Sequence, residues 1–191
     1  MILKEFLCNY ILEKNKVMNR IWRMSSLLLL VAVLLMQCRK IENYPDEPQI
    51  SFIEVIVKDS TDVLDNKIKH VTLKFKVIDG DGDIGLDETD TLGPFSRDSA
   101  YYYNLFIKEY EKVGEEFVEV EGNLFPRNYR IPYLTPEGQN KTLIAKVSVE
   151  MEYGYSDLTP LLFTEFKYYF KLVDRSFNFS NTDTTSLISF D

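Results

Sequence analysis

Two cysteines and one histidine are all that this 191-residue chain offers to thiol and imidazole chemistry. A disulfide framework needs paired thiols, and only Cys8 and Cys38 exist. A zinc site needs several His or Cys ligands. His70 stands alone and alternates with Thr72 and Lys74, which places it on a solvent face. A serine nucleophile would need that same histidine, and no nucleophile-elbow pattern occurs. No glycine-rich, phosphate-cradling motif is found either. After Cys38 no stretch holds a helical period for three turns. Charge is missing from residues 25–36.

That uncharged run is Ser-Ser-Leu-Leu-Leu-Leu-Val-Ala-Val-Leu-Leu-Met. As a helix it rises only ~18 Å, too short for a ~30 Å bilayer core. Placed behind Arg20 and Arg23, it has the pattern of a cleaved export signal. Met18 supplies a natural start, so residues 1–17 read as a misplaced start or a leader extension. Leu35-Met36-Gln37-Cys38 resembles a bacterial lipobox, with Gln37 where a small residue is usual. The resemblance implies lipid on Cys38 and attachment to a membrane. Cleavage there leaves a mature chain with no free thiol, so an exported domain must rest on its own core. The organisation expected is a signal segment at 1–37, a tether at 38–49 containing Pro45 and Pro48, and a folded domain at 50–191.

Residues 38–191 hold 17 Lys and Arg against 28 Asp and Glu, a formal net charge of −11. Such a domain repels nucleic acid. Phenylalanine and tyrosine are plentiful, 13 and 12 in the chain, enough for a large core. Their placement follows a period of two. Expected strands are A 50–58 (Ile53, Val55 and Val57 on one face), B 70–78 (Val71, Leu73, Phe75, Val77), and C 102–110 (Tyr103, Leu105, Ile107). C′ 117–121 follows the turn at Gly114, with a weak D near 129–131. Then come E 142–151, F 165–173 (Phe166, Tyr168, Phe170, Leu172) and G 184–190. Seven or eight short strands predict an all-β, immunoglobulin-like antiparallel β-sandwich, with a closed barrel as the alternative. In that order the B–C and F–G loops share one pole with the start of strand A.

The B–C loop opens Asp79-Gly80-Asp81-Gly82-Asp83-Ile84-Gly85-Leu86-Asp87-Glu88-Thr89-Asp90. Hard cations take six to eight oxygen ligands, and calcium loops space them at places 1, 3, 5, 7, 9 and 12. Here those places are Asp79, Asp81, Asp83, Gly85, Asp87 and Asp90. Ile84 replaces the turn glycine and Asp90 the longer glutamate, and no flanking helices are expected, so this is not an EF-hand. Two carboxylates ~6 Å apart repel by ~3 kcal/mol at an effective dielectric of ~20. The loop must therefore splay, take up protons or bind a cation such as calcium. The competing reading is a solvated turn in which Asp and Gly serve turn geometry alone. Asp174, opening the F–G loop, is a further candidate ligand at the same pole.

Tyr102, Phe106 and Tyr169 are candidates for an exposed patch that takes a glycan or protein partner. The competing expectation is that residues 122–131 fold over them. Paired carboxylates also leave an envelope hydrolase as an alternative class.

The lipobox, Tyr44-Pro45-Asp46-Glu47-Pro48, the Asp79–Leu86 run, residues 129–141 (YRIPYLTPEGQNK) and residues 173–182 (VDRSFNFSNT) together resemble the small uncharacterised lipoproteins of Bacteroidota. The resemblance spans nearly the whole mature chain. It implies an outer-membrane lipoprotein, facing periplasm or exterior, and no particular activity. The expectation is a lipid-anchored, non-enzymatic binding or structural module.

Overall fold

The computed structural model describes residues 18, 20–29, 44–121, 127–134, 136, 141–155, 161 and 163–190. Two units separate at 42/43. In the first, residues 18 and 20–29 are helical and exposed. Among the described residues no helix is long and apolar enough to cross a membrane. Cys38 and the lipobox, residues 1–17 and residues 38–43 of the expected tether lie outside the described residues.

Among the described residues the second unit carries nine strands: β1 (Gln49–Thr61), β2 (Lys67–Asp79), β3 (Leu105–Val113), β4 (Glu116–Glu119), β5 (Arg127–Tyr129), β6 (Leu143–Gly154), β7 (Glu165–Leu172), β8 (Asp183–Thr184) and β9 (Ile188–Ser189). Alternation dictates how they pack. In β2, Val71, Leu73, Phe75 and Val77 are fully buried, while Thr72, Lys74 and Lys76 stay partly exposed. β-branched and aromatic residues suit a pleat with one buried side. β1 and β6 flank β2, giving the antiparallel order β1-β2-β6. In β7, Phe166, Tyr168, Phe170 and Leu172 are buried. That strand joins the sheet β4-β3-β7-β8, with β5 beside β3 and β9 beside β7. The inner faces meet in one core, where Phe75 and Phe170 lie 5.1 Å apart. In the letters used above, A, B and E form one sheet and C′, C, F and G the other, and the fold is the expected all-β sandwich.

Four local expectations change. β1 has a register shift between Phe52 and Glu54. The extra residue turns Ile53 outward, 43% exposed, and brings Phe52, Val55 and Val57 against the core instead. Tyr103 precedes β3 and is exposed, because the strand begins two residues later. Asn104 replaces it as an anchor: its buried side chain donates to Ile131 O (3.0 Å) and accepts from Ile131 N (2.6 Å). The D segment, expected near 129–131, lies at Arg127–Tyr129 and pairs with β3 in the second sheet. Strand G is split into β8 and β9, since Tyr168 N donates to the Thr185 hydroxyl (3.0 Å) between them.

A polar cluster crosses the core. Glu109, on the inward side of β3, accepts from Arg127 Nε (2.7 Å) and from the Tyr153 hydroxyl. Tyr153 on β6 meets Tyr168 on β7, oxygen to oxygen at 2.5 Å. The Arg127 guanidinium lies 3.8 Å from the Tyr153 ring centroid. Burial raises the titration of both phenols, so they stay neutral and donate.

Side chains also close the outer edge of β1. Ile50 N donates to Asn181 Oδ1 (2.9 Å), Asn181 Nδ2 donates to Ile50 O (3.0 Å), and Phe52 N donates to Asp183 Oδ2 (2.6 Å). Asn181→Ala strands one donor and one acceptor. It should cost about 1–2 kcal/mol in urea unfolding.

Candidate metal centre

The acidic pole grows directly from strand parity. Asp79 is the next inward position after Val77, so β2 ends by pointing a carboxylate into the protein, 0% exposed. β7 does the same: Val173 and Asp174 follow Leu172, and Asp174 is 3% exposed. Between them the B–C loop folds back at Gly82, whose φ of +69° suits glycine. A Cβ there would meet Lys141 O at 2.0 Å. The return brings Asp83 N within 2.9 Å of Asp79 Oδ2, to which it donates.

Asp79, Asp83 and Asp174 each offer an oxygen within 4.8 Å of the other two. Oxygens bound to one calcium-sized ion at 2.3–2.6 Å can be no more than about 5 Å apart, so the three fit a single shell. Protein donors hold several oxygens of these carboxylates. The Ser176 hydroxyl donates to Asp83 Oδ2 (2.7 Å). Asn178 donates to Asp174 twice, from N (2.8 Å) and from Nδ2 (2.9 Å). Asp79 Oδ1, Asp81 Oδ1 and Asp83 Oδ1 are buried with no hydrogen-bond partner. Buried anionic oxygens without donors are costly. This group of carboxylates could hold a metal ion.

Electrostatics agrees. Burial, then repulsion from Asp81, Asp83 and Asp174, pushes Asp79 up to about 7. Asp81 is raised by burial, then by Asp83 and Asp46. Burial also raises Asp174, against the pull of the Asn178 donors. The chain's entry packs on the same loop: Gly80 N donates to Pro45 O (2.8 Å), and the Thr142 hydroxyl to Gly80 O (3.3 Å).

The remaining loop candidates go elsewhere. Ile84 and Leu86 are 0% and 4% exposed, and their burial drags the chain away from the pole. Leu86 N donates to Ile131 O (3.0 Å) and Leu134 N to Ile84 O (3.1 Å). Gly85 lies inside this pairing, against the Pro132 carbonyl, rather than turning back as a seventh-place ligand would. Asp87 emerges exposed. Asp90 makes a two-pronged ion pair with Arg175 (2.5 and 3.2 Å), which holds its carboxyl below the usual range. Arg130 donates to the carbonyls of Asp87 (2.9 Å) and Asp90 (3.1 Å). The linear calcium-loop spacing is thus broken after its third place, and Asp174 completes the group from another loop. Ser176 and Asn178, which brace the ligands, carried no spacing signal.

The aromatic candidates separate. Phe106 and Tyr169 lie on the outer face of β3 and β7. Tyr102 instead packs edge-on to Tyr103, with the Arg130 guanidinium 4.9 Å from its ring centroid. β5 runs in the plane of the sheet, so residues 127–129 do not cover the patch, and residues 122–126 lie outside the described residues. Comparison with protein-family models, with curated proteins and with solved structures finds no match.

Proposed function

We propose that this chain is a lipid-anchored, non-enzymatic envelope module whose loop pole is stabilised by a calcium ion. Anchoring through Cys38 in the outer membrane, as in the Bacteroidota lipoproteins it resembles, rests on the sequence alone. The cation reading rests on one observation: Asp79, Asp83 and Asp174 converge while their neighbours leave buried carboxylate oxygens without donors. Oxygen-only ligands favour a hard ion over zinc or copper. The carboxylate-pair hydrolase is less well supported, because Asp79 and Asp174 are 0% and 3% exposed and a general acid must reach its substrate.

Calorimetric titration of the detergent-solubilised chain with calcium chloride tests this. One ion should bind with a Kd of roughly 10⁻⁴–10⁻³ M, the range of extracellular modules. Asp174→Asn should abolish the heat. No heat at millimolar calcium would sink the proposal.

A further inference from the structure

The outer face of the second sheet has a chemistry of its own. β3 turns Phe106, Lys108, Tyr110 and Lys112 outward, and β7 turns Lys167, Tyr169 and Lys171 outward. The register sets Phe106 opposite Lys171, Lys108 opposite Tyr169 and Tyr110 opposite Lys167, while Lys112 faces Phe117 on β4. Rings and ammonium groups therefore alternate both along and across the strands. Tyr110 and Tyr169 lie 4.3 Å apart. Lys167 sits 4.4 Å from the Phe117 ring and Lys171 4.4 Å from Phe179.

The face carries four lysines, two of them matched by carboxylates. Lys108 pairs with Glu119 (2.7 Å) and Lys112 with Glu165 (2.9 Å). Lys167 and Lys171 have no carboxylate partner among the described residues. Beside Lys171 opens a depression of about 520 Å³, lined by Phe106, Lys108, Asn128 and Lys171, with Glu119 and Glu121 on its β4 side. Among the described residues of β1, β2 and β6, the only ring turned outward is the His70 imidazole.

We infer that this chequered face is a docking surface for an anionic polysaccharide. Flat, half-buried rings offer stacking area to the apolar faces of sugar rings, and the unpaired lysines offer point charges to carboxylate or sulfate groups. A membrane surface fits less well, since Phe106, Tyr110 and Tyr169 are half-buried and do not protrude. Nucleic acid fits less well, since β3 and β7 turn no arginine fork outward to grip phosphates. None of these residues belongs to the acidic pole.

Affinity electrophoresis of the full chain in non-ionic detergent and chelator tests the inference independently of the cation. Dextran sulfate in the gel should retard the protein, neutral dextran should not, and added salt should weaken the effect. Lys167→Gln with Lys171→Gln should lower apparent affinity about tenfold, the loss of two charge-assisted contacts, while the chain stays folded and loses only the small contribution of two surface cation–π contacts. Tyr169→Leu should lower it severalfold. Undiminished retardation of the lysine double variant, equal retardation by neutral dextran, or no retardation at all would overturn the inference. So would lysine-dependent binding to phosphatidylglycerol vesicles in place of the polysaccharide, which would reassign the face to a membrane.

Discussion

In chelator, the melting temperature of the protein should fall as pH rises from about 4 to about 7.5, and Asp79→Asn should remove most of that slope. Asp79 titrates near 3.8 when unfolded and near 7 when folded. Between those values the folded chain holds a proton that the unfolded chain has released. Stability contributed by the group is therefore complete below about pH 4 and is lost as pH climbs through 7. A shift of this size corresponds to a few kcal/mol at most. Calcium should reverse the picture at neutral pH. At 10 mM, with a Kd of ~10⁻⁴ M, it adds about 2.7 kcal/mol, a rise of roughly 5–10 °C in a domain of this size. Asp79→Asn should be at least as stable as the parent in chelator, because a buried like charge is gone, yet gain little from calcium. Superimposable pH profiles for parent and variant would remove Asp79 as the source of the slope.

Glu109→Ala should be the most damaging single change outside the apolar core, costing about 3–5 kcal/mol in urea unfolding. Its carboxylate is the counter-charge of Arg127, whose side chain is 21% exposed, and it takes a hydrogen bond from Tyr153. Truncation leaves a cation and two phenols facing one another across both sheets. The companion experiment replaces both charges, Glu109→Leu with Arg127→Met, and should recover much of the loss, since apolar replacements of a buried pair are often neutral. A Glu109→Ala loss below about 1 kcal/mol would mean that solvent reaches Arg127 freely.

The cluster shows where the sequence was opaque. Glu109 falls in phase with Leu105 and Ile107, so alternation alone assigns it inward; its acceptance there depends on Arg127 and Tyr153, 18 and 44 residues away. Periods of two reveal which side a residue faces, not what waits opposite. The runs Val71–Val77 and Phe166–Leu172 were readable for that reason. The bulge at Phe52–Glu54 was not, because Ile53 is as apolar as the residues it displaces from the pattern. In the acidic loop, Asp79 and Asp83 could be picked out by glycine-spaced carboxylates. Asp87 and Asp90 shared the same spacing, but burial of Ile84 and Leu86 outweighs ligand periodicity and delivers them to Arg130 and Arg175.

The rung between Gly80 and Pro45 links this pole to the point where the chain enters the domain. A tug on residues ahead of Tyr44 loads that rung, then the start of the ladder with β2 at Gln49 together with the Asn181 bracket on Ile50. The domain thus holds its entering segment through the loop that gathers the aspartates. Whatever stiffens that loop should raise the force the grip withstands, and chelation should make the entry strand the first to peel.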